Sequence, residues 1–93
     1  MSDLDRIFAA LGDETRRAIL ARLMDGEVRL SDLAQPFTMS QTAVSKHVRV
    51  LSGAGLLVVE KRGRTRHCRL NAQAMKGASE WLAEYQSFWL EQL

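Results

Sequence analysis

Apolar residues recur with helical spacing near the start of the chain. The first stripe consists of Leu4, Ile7, Phe8 and Leu11. This spacing predicts a helix over residues 3–12 that ends at Gly12.

A second helix is predicted directly afterwards. Asp13 can cap it with its carboxylate, and Glu14 lies favourably in the first turn. Gly26 suits the position just past a helix end. The residues expected to face inward are Ile19, Leu20, Leu23 and Met24.

Short elements are predicted next. Residues 27–30 favour an extended segment. Ser31 can cap a brief helix over residues 32–35, and Pro36 ends it because proline disfavours helical backbone in the preceding residue. Residues 37–39 form a turn.

The segment at residues 40–54 is predicted to be a helix with two different faces. Ser40 can cap it, and Gly55 lies just past its end. The apolar face consists of Val44, Val48 and Leu51. The opposite face lacks carboxylates and carries Gln41, Thr42, Ser45, Lys46 and Arg49.

That polar face has the chemistry of a DNA-recognition helix. A glutamine such as Gln41 can form two hydrogen bonds with adenine, and the hydroxyls of Thr42 and Ser45 can bond bases or phosphates. Lys46 and Arg49 suit guanine edges or the phosphate backbone. Free amides at the N-terminus, beside Ser40, also suit a phosphate. An ordinary amphipathic surface helix is the alternative interpretation.

A basic hairpin follows the helix. Residues 56–59 are apolar and rich in valine, Gly63 indicates a turn, and residues 65–70 return as a second strand, so the hairpin spans residues 56–70. Lys61 and Arg69 can simply pair with neighbours. The cations expected to reach phosphates or a minor groove are Arg62, Arg64 and Arg66.

The charge distribution supports this interpretation. The chain carries +2 in total, but residues 40–70 carry +6 while residues 1–39 and 71–93 each carry −2. A basic centre between acidic ends is typical of a nucleic-acid contact surface. A solvated basic loop is the alternative.

Aromatic residues concentrate in a final helix, predicted over residues 72–92 with Asn71 as its cap. Its apolar sector is wide for a helix that covers so small a domain. Covering its own core is one interpretation; a symmetric homodimer interface with the first helix is preferred. The predicted interface residues are Leu4, Ile7, Phe8, Leu11, Trp81, Leu82, Tyr85, Phe88 and Trp89.

The predicted fold class is mainly α with a small β-hairpin, an α+β arrangement in the order α-α-β-α-α-β-β-α. A short helix, a tight turn and a second helix followed by a two-stranded ribbon indicate a winged helix-turn-helix. One domain is expected to cover residues 1–93, with residues 3–12 and 72–92 serving dimerisation.

The motifs resemble those of ArsR-type winged-helix repressors. The resemblance covers roughly residues 4–75, and its strongest parts are residues 12–20, 31–34 and 40–57 with the basic hairpin. It implies a dimeric prokaryotic transcriptional repressor that binds operator DNA and releases it on a signal. By position, the resemblance implies that the DNA-facing residues include Gln41, Thr42, Ser45 and Lys46.

The chain departs from many such repressors at the sensing site. Residues 30–35 lack a Cys-x-Cys motif, and residues 72–93 contain neither His nor Asp. No metal or other cofactor is therefore expected, and an unidentified small-molecule effector remains open. A disulfide between subunits or a modified thiol at Cys68 is disfavoured.

Arg16 and Arg17 can either bind phosphate or brace the fold through Asp13 and Glu14, and bracing is preferred.

A winged helix could instead bind a protein or RNA. An enzyme is disfavoured because no nucleophile–base group, phosphate loop or metal cluster is evident.

The sequence predicts a cytoplasmic location. Its acidic start does not resemble a signal peptide, and no segment is long and apolar enough to span a membrane. A single cysteine fits a reducing compartment.

Overall fold

The order of elements follows the predicted α-α-β-α-α-β-β pattern as far as residue 70 and departs from it afterwards. The computed structural model describes residues 2–93; Met1, with which the predicted domain begins, lies outside the described residues. Its elements are α1 (Asp3–Leu11), α2 (Glu14–Leu23), β1 (Val28–Arg29), α3 (Leu30–Leu33), α4 (Gln41–Gly53), β2 (Leu57–Arg62), β3 (Thr65–Leu70), a 3-10 turn (Ala72–Ala74), α5 (Met75–Ala83) and α6 (Gln86–Gln92). No described helix is long and apolar enough to cross a membrane.

Side-chain caps define where the long helices begin. The Asp13 carboxylate accepts a hydrogen bond from the Arg16 amide at 3.0 Å, which caps α2. The Ser40 hydroxyl accepts from the Ala43 amide at 3.2 Å, which caps α4. Both caps were predicted. Gly55 follows α4 with φ +78°, a left-handed conformation that glycine adopts without a steric penalty.

The short extended segment joins the hairpin to form one sheet. The strand order is β1-β3-β2, and both pairings are antiparallel. Cys68 on the central strand lies opposite Val28 on one side and Val59 on the other. The predicted two-stranded ribbon therefore has a third strand at its base. Gly63, with φ +61°, forms the turn at its tip.

The hydrophobic core lies between the helices and the inner face of this sheet. Val44, Val48 and Leu51 are buried as predicted, so the polar face of α4 points outward. The other large buried side chains come from α1, α2, α3 and the chain that enters β2: Ile7, Ile19, Leu20, Leu23, Leu33, Leu56 and Leu57.

Three predictions about local structure are wrong. Met24 is 77% exposed, because it caps the end of α2 where the helix no longer faces the core. Ser31 does not cap α3, since that helix already begins at Leu30 and has no side-chain cap. Asn71 does not cap the final helix either; its side-chain amide donates to the carbonyl of Gly55 at 2.9 Å.

The final helix is also divided rather than continuous. The amides of Glu84 and Tyr85 bond the carbonyls of Trp81 and Leu82, three residues back, at 3.3 and 3.0 Å. These tighter bonds interrupt the i→i−4 ladder and separate α5 from α6.

The last helix, α6, adds no residue to the core, whereas α5 contributes Ala78. The chain measures 50 × 26 × 25 Å, and its radius of gyration of 14.8 Å exceeds the value of about 12 Å typical of a compact domain of this length. None of the residues of α6 is buried. In this extended shape, the apolar side chains of α6 remain exposed.

Candidate nucleic-acid interface

The polar face of α4 is exposed along most of its length. Gln41, Thr42, Lys46 and Arg49 are exposed, and Ser45 is half-buried. The helix contains no acidic residue. Its outward face therefore offers hydrogen-bond donors, acceptors and positive charge to an anionic partner.

The first turn of α4 also leaves backbone amides that have no partner within the helix. The oxygen of Ser40 is already an acceptor for the Ala43 amide, and its hydroxyl proton can still be donated. Unpaired amides and the helix dipole favour an anion in the first turn.

The hairpin, which we call the wing, lies beside this face. Arg66 borders a cleft of about 370 Å³ together with Ser45 and Arg49 of α4. A neighbouring cleft of about 230 Å³ lies between Gln41 on α4 and Arg64 and Arg66 on the wing. The structure thus brings Arg64 and Arg66 together with the polar face of α4.

Arg62 is placed differently. Its Nη2 lies 2.8 Å from a carboxylate oxygen of Glu27 and 2.9 Å from one of Glu60. The hydrogen bond from Arg62 lowers the pKa of the Glu60 carboxyl, and the bonds to Glu60 and Glu27 raise the pKa of the Arg62 guanidinium. Arg69 also lies 3.2 Å from Glu60, as the expectation of neighbour pairing allowed. Arg62 is therefore paired with carboxylates rather than displayed beside α4.

Arg16 and Arg17 brace the helices through backbone carbonyls. Arg16 donates from Nε to Ala10 at 2.7 Å and from Nη2 to Ala9 at 3.1 Å, and Arg17 donates to Leu11 at 2.7 Å. The predicted bracing is present, but its partners are the last carbonyls of α1 instead of the carboxylates of Asp13 and Glu14. Cations at a helix C-terminus also complement the helix dipole.

His47 lies where α4 meets this brace. Its Nδ1 is 3.4 Å from Arg16 Nη1 and 3.8 Å from a carboxylate oxygen of Asp13. The amide of Arg16, with a smaller contribution from His47, lowers the pKa of the Asp13 carboxyl. His47 therefore takes part in the contact between α2 and α4.

Cys68 is fully buried in the core. Burial raises the pKa of its thiol, which disfavours the reactive thiolate. A disulfide between subunits would require this part of the sheet to open. Among residues 2–93, no three His, Cys, Asp or Glu side chains are grouped closely enough to hold a metal ion.

The terminal helices form one apolar surface, as predicted. The rings of Phe8 and Trp81 meet edge to face with centroids 5.6 Å apart, and Trp81 stacks at a tilt on Tyr85 at 5.0 Å. Leu4 and Leu11 are half-buried at the edge of the core. The exposed members of the predicted set are Trp81, Leu82, Tyr85, Phe88 and Trp89.

The burial of one predicted interface residue differs from the rest, and two further apolar residues are exposed. Ile7 is only 6% exposed, because its position on α1 faces the protomer's own core. Leu90 and Leu93 are 58% and 98% exposed and extend the apolar surface along α6. Leu90 lies eight residues after Leu82, so the helical period already indicated it.

Known proteins share both the sequence pattern and this fold. A helix-turn-helix domain family matches residues 11–60. The HTH-type transcriptional regulator Rv2034 of Mycobacterium tuberculosis is 35% identical over 89 residues, covering 96% of this chain and 80% of the relative. The arsenical resistance operon repressor of Escherichia coli is 34% identical over 80 residues, covering 85% of this chain and 68% of the relative.

A solved structure agrees with the same assignment. The ArsR family transcriptional regulator RHA00566 superimposes with a TM-score of 0.85 at 40% identity, covering 94% of this chain and 90% of that one. The sequence match, the fold and the exposed polar helix beside a basic wing all indicate one family of DNA-binding regulators, which are not enzymes. The chain belongs to the ArsR-type family of winged helix-turn-helix transcriptional regulators.

Proposed function

We propose that the protein is a homodimeric repressor that binds an inverted-repeat operator. In this proposal, α4 lies in the major groove and the wing lies over the adjoining backbone or minor groove. The observation that carries the proposal is the shared cleft between α4 and the wing, which Gln41, Arg64 and Arg66 border. Among residues 2–93, no acidic side chain borders this cleft or its neighbour.

The contacts are divided by chemistry. Gln41, Thr42, Ser45 and Lys46 are proposed to bond base edges, because they are on the first two turns of α4, where a recognition helix enters the groove. Ser40 and Arg49 are proposed to bond phosphates. Arg64 and Arg66 supply positive charge from the wing, which strengthens binding to any sequence.

The apolar surface on α1, α5 and α6 is proposed to be the dimer interface. Phe8 and Trp81 are already packed together at its centre. Phe88 and Leu90 remain mostly exposed in the protomer, and contiguous apolar patches of this kind favour association. A twofold dimer would place two copies of α4 about 34 Å apart, which matches successive major-groove faces of DNA.

We infer that residues 1–93 act as a single DNA-binding domain in the cytoplasm, where its operator would be accessible. Residues 40–54 serve recognition, residues 56–70 form the wing and the terminal helices serve dimerisation. An unidentified small molecule is proposed as one possible effector, and release that depends only on the level of the protein is the alternative.

The test compares nucleic acids of equal length. The protein should bind a duplex fragment from the promoter adjoining its own gene, with affinity that falls as salt concentration rises. Double-stranded RNA of the same length should bind much more weakly, because its deep, narrow major groove does not admit α4. Equal or tighter binding to RNA would favour the alternative of an RNA-binding winged helix. Binding to neither nucleic acid would favour the alternative of a protein-binding one.

A further inference from the structure

The structure separates the wing's cations onto two faces, and this separation reassigns one DNA contact. We propose that Lys61, rather than Arg62, is the β2 cation that contacts a DNA phosphate. The proposal rests on the proposed function and specifies which side of the wing faces DNA.

The strand register shows which side chains share a face. Lys61 lies directly opposite Arg66 on β3, whereas Arg62 lies opposite Thr65. Successive side chains of a strand point to opposite faces, and directly paired residues point to the same face. Lys61 and Arg66 therefore share one face, and Arg62 is on the other.

The face of Lys61 and Arg66 is the one that adjoins α4. Two residues before Lys61, Val59 is on this same face opposite the buried Cys68, and Val59 packs against the core. Towards the tip, Arg66 borders the clefts beside α4. The inner face of the sheet thus changes from apolar at its base to cationic at its tip, where it emerges beside the recognition helix.

The opposite face is electrically compensated. Arg62 contacts carboxylates on both sides, Glu27 at 2.8 Å and Glu60 at 2.9 Å, and Arg69 shares Glu60 at 3.2 Å. For Arg62 to bind a phosphate, both contacts would have to break and two carboxylates would remain close to the DNA.

The inner face has no such compensation. Lys61 and Arg66 are exposed, and neither forms an ion pair with any residue from 2 to 93. Their positive charges are available to an external anion, and they lie on the side from which α4 would enter the groove. This arrangement makes Lys61 the stronger candidate for a phosphate contact.

The test uses two matched variants that each remove one wing cation, Lys61→Gln and Arg62→Gln. Binding of the full chain to a 30-bp duplex of random sequence is measured by fluorescence anisotropy over a range of potassium chloride concentrations. The slope of log affinity against log salt is negative, and loss of one phosphate contact lowers its magnitude by about 0.9 for each bound protomer. We expect that decrease for Lys61→Gln and an unchanged slope for Arg62→Gln.

A third variant changes the partner instead of the cation. Glu27→Gln leaves Arg62 charged and removes one of its carboxylates, so it should not lower the slope. Thermal unfolding of each variant checks that it is folded at the assay temperature. If Arg62→Gln is not folded there, Arg69→Gln replaces it, because Arg69 is on the same compensated face.

The outcomes separate this inference from the proposed function. If the wild-type protein fails to bind the duplex, the proposed function itself is wrong. If the wild type binds with a steep salt dependence but Lys61→Gln leaves the slope unchanged, or Arg62→Gln lowers it equally, the reassignment of the contact is overturned.

Discussion

The guanidinium of Arg16 lies 3.4 Å from the imidazole of His47, so a side chain of α2 reaches the middle of α4. The same guanidinium donates to two carbonyls at the end of α1. One residue therefore connects the helix proposed for dimerisation to the helix proposed for recognition. This connection supports a fixed orientation of α4 relative to the dimer interface.

Arg16→Lys is expected to destabilise the fold. Lysine cannot reproduce the planar set of donors that reaches Ala9, Ala10 and His47 together. Loss of charge-assisted hydrogen bonds at a part-buried site should lower the free energy of unfolding by about 1–3 kcal/mol, as measured by urea denaturation. Arg17→Lys is the matched control, since Arg17 makes one bond at the surface. An Arg16→Lys variant that is no less stable than Arg17→Lys would contradict the larger bracing role of Arg16.

Asp13 should contribute stability that depends on pH. The hydrogen bond from the Arg16 amide holds its folded pKa below the ordinary value of 3.8, so its contribution is complete above that value and is lost as pH falls through the folded pKa. Asp13→Asn retains a capping side chain but does not titrate. The wild type should be more stable than this variant near pH 6, and the difference should shrink below about pH 4. Thermal unfolding at several pH values measures it; a constant difference would be inconsistent with this cap.

Ser40 should have separable roles in stability and in DNA binding. Ser40→Ala removes the cap of α4 and should cost about 1 kcal/mol of unfolding free energy. Ser40→Asp keeps a capping oxygen and should preserve stability, but it places a negative charge where a phosphate is proposed. We expect Ser40→Asp to bind duplex DNA more weakly than Ser40→Ala does. The reverse order in the binding assay would argue against a phosphate at this N-terminus.

Phe88→Glu should disrupt the dimer while leaving the protomer folded. Phe88 is 64% exposed, so the change removes little from the protomer's own core and adds a charge to the apolar surface. Analytical ultracentrifugation should show a monomer, and operator affinity should fall because two half-sites are no longer bound together. Ser87→Glu adds the same charge on the neighbouring polar row and should remain dimeric. A dimeric Phe88→Glu variant would place the interface elsewhere.

Arg64→Ala should weaken binding to every DNA sequence alike. Arg64 is at the tip of the wing and borders the cleft with Gln41. Loss of a phosphate contact lowers affinity and makes the salt dependence shallower without changing sequence preference. A salt titration with operator and random duplexes checks this, and a selective loss on the operator alone would instead make Arg64 a base contact.

Long patterned segments were predictable from the sequence, whereas positions that depend on packing were not. The buried face of α4 and the caps Asp13 and Ser40 follow from local periodicity and side-chain chemistry. Ile7 and Phe8 belong to one apolar stripe, and only the placement of α1 against the core determines that Ile7 is buried.

The site was predictable to a similar extent. The polar face of α4 follows from helical periodicity, but the carboxylates that hold Arg62 come partly from Glu27, which is 35 residues away in the chain. Counting cations in the hairpin therefore assigned Arg62 to DNA. Side chains alternate between the two faces of each strand. If the exact turn residues around Gly63 had been predicted, this alternation would have placed Lys61 and Arg66 on the same face of the hairpin.

The most direct test of the central claim, that α4 recognises DNA sequence, is the operator preference of Gln41→Ala. The dissociation constants for the adjoining promoter operator and for random duplex DNA are measured at one salt concentration for wild type and variant. The account predicts that the variant loses about 1–3 kcal/mol of its preference for the operator while its affinity for random DNA changes little. Equal weakening on both duplexes would contradict the assignment of Gln41, and with it the proposed recognition by α4.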